Sequence, residues 1–136
     1  MKTLLLLLGV LSILAAATFQ ERMSSKALEG SPEFQKDVTD CFDGSAEACY
    51  RAGQYYSNQP HTAPDSQPEQ AASDVANFYK KSCELGYAKG CTAYAMIYSA
   101  DKEKDPQKTA RDYFNQGCEG GDRPACTMLK MMPEVE

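Results

Sequence analysis

Six cysteines fall into three pairs of identical spacing, and no other feature constrains the fold of this chain as tightly. Cys41 and Cys49, Cys83 and Cys91, and Cys118 and Cys126 are each eight residues apart, and a glycine (Gly44, Gly86, Gly121) follows the first cysteine of every pair by three. Around the second pair, SDVANFYKKSCELGYAKGCTAYAMIY (73–98) carries apolar residues at helical spacing on both sides of Gly86. A glycine between two such stretches ends one helix and lets the chain turn into the next. The reading is therefore an all-α fold built from three helical hairpins. The first cysteine of each pair lies in the last turn of one helix and the second in the first turn of the next. Antiparallel helices joined by a tight turn bring those positions to the Cα separation that a disulfide needs, about 5–6 Å. This pairs Cys41–Cys49, Cys83–Cys91 and Cys118–Cys126. A metal site is disfavoured, because zinc-binding cysteines sit closer together and need a convergent ligand set.

Disulfides imply an oxidising compartment, and the start of the chain agrees. Met1-Lys2 precedes an apolar run over 4–14, and Ala15-Ala16-Ala17 supplies a small-residue cleavage site. This is the pattern of a secretory signal peptide over 1–17, cut after Ala17. The run is short for a spanning helix, so contact with a membrane is expected only before cleavage. Loss of Lys2 with the leader takes the net charge from −5 to −6. A chain this acidic is a poor match for nucleic acid or an anionic membrane. The expected location is periplasmic or secreted.

Residues 18–30 are mostly polar and read as a flexible leader, with a loose helix ending at Gly30 as the alternative. The repeat domain is expected over 31–132. Its first repeat spans 31–56, opening at Ser31-Pro32-Glu33 with a cap, a first-turn proline and a first-turn acid. A proline-rich loop follows at 57–70 and absorbs the longer spacing from Cys41 to Cys83. The second repeat spans 71–100, and the third 105–132 with Asp105 and Asp122 as helix caps. Before the first cysteine stand Phe78-Tyr79 and Tyr113-Phe114, but Lys36-Asp37 in the first copy. Before the second cysteine stands a small residue each time: Ala48, Gly90 and Ala125. After the last cysteine the apolar pattern fades, as at a terminal repeat with nothing stacked on it. A unit of about 35 residues with two helices is the period of an α/α solenoid.

The aromatic pair Phe78-Tyr79 with Cys83, Gly86, Gly90, Cys91, Ala95 and Tyr98 resembles the cysteine-rich branch of the Sel1-like repeats, the Helicobacter cysteine-rich protein family. The resemblance covers about 31–132. It implies tetratricopeptide-like hairpins, a disulfide inside each repeat, and export. Some members of that family carry the name of penicillin-binding protein or β-lactamase, while Sel1-like repeats at large act as adaptors.

The residues themselves offer little for catalysis. His61 is the single histidine and sits in the proline-rich loop, where a solvated role is expected. The cysteines are consumed as bridges, leaving no thiolate. Ser99-Ala100-Asp101-Lys102 matches S-x-x-K, but Lys108-Thr109-Ala110 lacks the glycine of K-T-G and Ser73-Asp74-Val75 lacks the asparagine of S-D-N. No cofactor or metal is expected, and no catalytic residue is assigned. Tyr79, Tyr94, Tyr98 and Tyr113 occupy repeat positions, where packing is the default. Their functional alternative is a binding surface along a concave groove. Lys80, Lys81 and Lys89 read as a solvated face or as contacts for an anionic ligand. The expected function is an exported, disulfide-stapled scaffold that recognises a protein or peptide. The alternatives are a β-lactam-binding protein or weak β-lactamase, on family resemblance alone, and a peptidoglycan-contacting or host-interaction factor.

Overall fold

The same turn occurs three times. Gly44, Gly86 and Gly121 have φ of 108°, 97° and 94°, a region that side-chain-bearing residues rarely adopt. Past each glycine the next amide reaches back over the helix end. Ser45 N–H donates to Asp40 O at 2.9 Å, Tyr87 N–H to Ser82 O at 3.1 Å, and Asp122 N–H to Gly117 O at 2.9 Å. This is the Schellman closure, and it fixes the direction in which the chain leaves the helix. The three expected disulfides span these turns, with Cα separations of 4.5 Å for Cys41–Cys49, 4.4 Å for Cys83–Cys91 and 4.7 Å for Cys118–Cys126.

The computed structural model describes residues 18–60 and 67–134. The leader expected over 1–17 and His61 lie outside the described residues. Seven α-helices and no strand occur among them. In chain order they are α1 (Phe19–Ala27), α2 (Pro32–Phe42), α3 (Ala46–Ser57), α4 (Pro68–Glu84), α5 (Ala88–Ile97), α6 (Ala110–Glu119) and α7 (Arg123–Met131), with a 3-10 turn at Tyr98–Ala100 after α5. Each helix packs against the next. The disulfides join α2 to α3, α4 to α5 and α6 to α7. Among the described residues no helix is long and apolar enough to cross a membrane.

Three local expectations are corrected. Residues 18–30 are not a flexible leader: Phe19–Ala27 is helical, ending short of Gly30, and it is docked, not loose. Thr18 and Glu21 cap it reciprocally: Thr18 N–H donates to Glu21 Oε2 at 2.8 Å and Glu21 N–H to Thr18 Oγ1 at 3.2 Å. Met23 and Ala27 are buried, and the Phe19 ring meets Phe42 and Phe78 edge-on at 5.7 and 4.9 Å. The proline-rich loop does not reach residue 70, since α4 starts at Pro68 with Glu69 in its first turn, both favoured there. Asp105 does not cap the third repeat. Its carboxylate is spent on a turn, accepting from Gln107 N–H at 2.9 Å. Thr109, four residues later, is the cap of α6, and its N–H donates to Asp112 Oδ2 at 2.6 Å.

The core runs the length of the chain. Phe34, Val38, Ala52 and Tyr56 fill the first helix pair, Phe78, Tyr79 and Tyr94 the second, and Tyr113 and Phe114 the third. The aromatic pairs before Cys83 and Cys118 are thus core residues. In the first copy Asp37 instead accepts from Arg51 Nε and Nη2 at 3.0 and 2.8 Å. The small residues before the second cysteines, Ala48, Gly90 and Ala125, are all buried. In α7 only Ala125 is fully covered, and Met131 is 66% exposed.

Candidate functional site

Three tyrosines from the second and third helix pairs meet at one place. Tyr94 of α5 and Tyr113 of α6 lie edge to face with centroids 4.6 Å apart. Tyr98, in the 3-10 turn, sits 5.8 Å from Tyr94 and 5.9 Å from Tyr113. Beneath them Asp101 is buried. It accepts from the Tyr94 hydroxyl and, at 2.9 Å, from Glu103 N–H, with Lys80 Nζ 3.8 Å away. The Tyr98 hydroxyl meets the carbonyls of Asp105 and Lys108, holding the 101–109 link over the cluster. Burial pushes the Tyr94 phenol far above its ordinary range, and the hydrogen bond to Asp101 adds to the effect. Burial likewise raises Tyr113, helped by Asp105 and Glu84. Three ammonium groups stand over the rings: Lys80 5.9 Å from the Tyr94 centroid, Lys104 5.0 Å from Tyr98 and Lys108 5.3 Å from Tyr113, within cation–π reach.

Beside this cluster, with Tyr113 shared between them, lies a cleft of 470 Å³ between α4, α6 and the link. Helix α4 contributes Lys80, Cys83 and Glu84, helix α6 Tyr113 and Gln116, and the link Glu103, Asp105 and Lys108. Two ammonium groups, three carboxylates and an amide therefore face one space. Such a lining suits a ligand with donors and acceptors of both signs, which a polypeptide segment provides. It offers no activated nucleophile. Ser99 is exposed, and the Lys102 ammonium pairs with Glu69 at 2.8 Å. All six cysteines are bridged. Among the described residues no group of three or more metal-ligating side chains converges.

A second surface crosses α3, α5 and α7. Tyr50, Thr92, Ala93, Met96 and Pro124 line a depression of 250 Å³. It adjoins another of 280 Å³ beside the turns at Gly86 and Gly121, and Lys89 and Asp122 border both.

The candidate tyrosines land differently from a binding surface. Tyr79, Tyr94 and Tyr113 are 8%, 0% and 3% exposed, so they pack and do not stand out as anchors; Tyr98 is half-buried. The fold brings Tyr94, Tyr98 and Tyr113 together. Tyr79 lies apart, against Gly53 and 5.7 Å from the Tyr50 ring. Of the lysines singled out, Lys80 enters the cleft, Lys89 borders the second surface, and Lys81 stands 5.8 Å over the Phe42 ring. Sequence reasoning missed Glu103, noted Asp101 only within the S-x-x-K match and read Asp105 as a helix cap, because a polar link carries no packing pattern. The signal available was Tyr98 followed within seven residues by three acids.

Comparison with known proteins adds no identity: no family model matches the chain, and neither a curated protein nor a solved structure matches it.

Proposed function

We propose that this protein is an exported scaffold, periplasmic or secreted, in which three Sel1-like hairpins stack as an α/α solenoid to bind a protein or peptide segment. The observation that carries this reading is the cleft between α4, α6 and the link, lined by side chains of both charge signs and by Tyr113. Disulfides inside each helix pair support export. The lack of a nucleophile beside a base in this cleft favours recognition over turnover. A bound segment would set its carboxylates against Lys80 and Lys108 and its amines against Glu84, Glu103 and Asp105. Rigid side chains lower the ordering cost of such binding.

The test is a binding screen of the oxidised mature protein against short synthetic peptides of mixed charge, read by fluorescence anisotropy. Binders should lose affinity at least tenfold in a Lys80→Glu/Lys108→Glu variant that keeps its helical circular dichroism. The same protein is assayed with a chromogenic cephalosporin. Hydrolysis that requires the folded, oxidised chain would replace the scaffold reading with the β-lactamase one. Peptide binders indifferent to both lysines would move recognition to another surface.

A further inference from the structure

A helix packed on one side of a fold turns polar side chains outward on the other. Helix α3 does so: two and five residues past Cys49 stand Arg51 and Gln54, both exposed. At the same two places past Cys91, α5 carries Ala93 and Met96, and past Cys126, α7 carries Met128 and Met131. Met96 and Met131 are 56% and 66% exposed. The second helices of the later two pairs therefore show apolar side chains where the first shows polar ones. On α5 the change is a continuous stripe, because Lys89, Thr92, Ala93 and Met96 follow one another at spacings of three and four. Tyr50 of α3 and Pro124 of α7 flank this stripe and complete the depression of 250 Å³. Tyrosine and methionine are enriched where proteins meet.

Two opposite charges border this apolar centre, Lys89 and Asp122. Among the described residues neither side chain has an ion-pair or hydrogen-bond partner. Asp122 stands at the N-cap of α7 without the side-chain bond of a cap. A partner of one charge sign would match one of these groups and oppose the other. The same patch turned about a two-fold axis matches both, since each contact of an isologous pair occurs twice with its roles exchanged. We propose that this face is where two copies of the chain pair. The axis passes between Lys89 and Asp122, and the Lys89 ammonium of each copy meets the Asp122 carboxylate of the other. Met96, unbranched and adaptable, fills the depression between Tyr50 and Pro124 of the opposite copy. No residue of this face lines the cleft between α4, α6 and the link, so the pairing is independent of what that cleft binds.

Sedimentation velocity of the oxidised mature protein at rising concentration tests this. The mass should climb from one chain to two. Met96→Glu should weaken pairing by about tenfold or more, as the loss of a central anchor does. Lys89→Glu and Asp122→Lys each set like charges against one another across the axis and should weaken it as well. Mixing those two variants should restore the dimer, because every contact between unlike copies then joins opposite charges. Helical circular dichroism is recorded for each variant to show that the fold is kept. A chain that stays monomeric at the highest concentration overturns the proposal. So does a dimer that survives Met96→Glu, or a mixture of the two charge variants no more dimeric than either alone.

Discussion

Tyr94 donates its phenolic hydrogen to Asp101, seven residues later, and both groups are buried. The bond crosses the exit from α5 and ties the linking segment to the core. Tyr94→Phe removes the donor while preserving the ring. A hydrogen bond to a charged group contributes about 1.5–3 kcal/mol, so a loss of about 2 kcal/mol is expected in urea unfolding. Asp101→Ala should cost more, because Glu103 N–H and Lys80 lose their acceptor as well. If Tyr94→Phe unfolds at the wild-type urea concentration, water reaches Asp101 and the bond does not tie the link to the core.

The same burial predicts how the protein responds to alkali. Tyr56, Tyr79, Tyr94 and Tyr113 are all held above the ordinary phenol value, in each case chiefly by burial. The folded state therefore keeps protons that the unfolded chain releases near pH 10. Stability is fully present below that pH and falls as pH climbs toward the raised folded values. Phenolate absorbance from these four rings should appear together with loss of helical circular dichroism. Titration of all eight tyrosines while the helices stay intact would contradict the buried cluster.

The cysteine–glycine register was legible because its causes are local. A bridge across a turn fixes a short distance, and a positive φ selects glycine, so three copies of one spacing dictate three copies of one turn. Other parts depended on contacts between distant residues. Helix α1 had local signs, with Thr18 and Glu21 at capping-box spacing and Phe19, Met23 and Ala27 four residues apart. They were outweighed by a polar composition, and its docking relies on Phe78 and Asp74, more than fifty residues away. The cleft was least legible. Tyr94, Tyr98 and Tyr113 could be named as a set, but whether a repeat tyrosine packs or projects depends on the neighbouring helix. The link that supplies three of the eight lining residues has no periodicity to read.

Gly90 tests how closely α4 and α5 must approach. A Cβ there would lie 2.3 Å from Ser82 Oγ and 3.0 Å from the Cys83 backbone nitrogen. Ser82 cannot swing aside freely, because its hydroxyl donates to Ala46 O at 2.7 Å. Gly90→Ala should cost about 2–3 kcal/mol, the upper part of the overpacking range. At Gly86 nothing lies within 4 Å of an added Cβ, so Gly86→Ala should cost about 1–2 kcal/mol through its positive φ alone. Urea midpoints in the reverse order would show that turn conformation outweighs helix contact.

The three bridges close loops of equal length, so the chain-entropy contribution of each is the same, about 2.6 kcal/mol. Their surroundings differ. Cys41 and Cys49 are fully buried, whereas Cys118 and Cys126 are half-exposed. Exchange requires a thiolate to reach a sulfur. Mild dithiothreitol followed by alkylation and mass mapping should label Cys118 and Cys126 first and Cys41 and Cys49 last. Simultaneous labelling of all six would mean that global unfolding precedes reduction.

Arg22 and Asp74 form an ion pair between α1 and α4. The carboxylate is fully buried, and its Oδ1 also accepts from Gln70 Nε2 at 3.1 Å. Arg22 keeps about a third of its side chain in solvent, its exposure being 31%, so the pair is only partly desolvated on one side. Removing the cation strands a buried carboxylate, and breaking such pairs costs about 3–5 kcal/mol. Arg22→Met is expected near 3 kcal/mol because of that exposure. Replacing both partners with apolar residues, Arg22→Met/Asp74→Leu, should recover most of the loss, since the residual cost comes from the orphaned charge and not from the missing bond. Amide exchange supplies the structural readout. In the single variant the amides of 22–27 should exchange markedly faster while those of α5 and α6 hold. Unchanged protection of α1 in Arg22→Met would show that Phe19 and Met23 alone hold the helix in place.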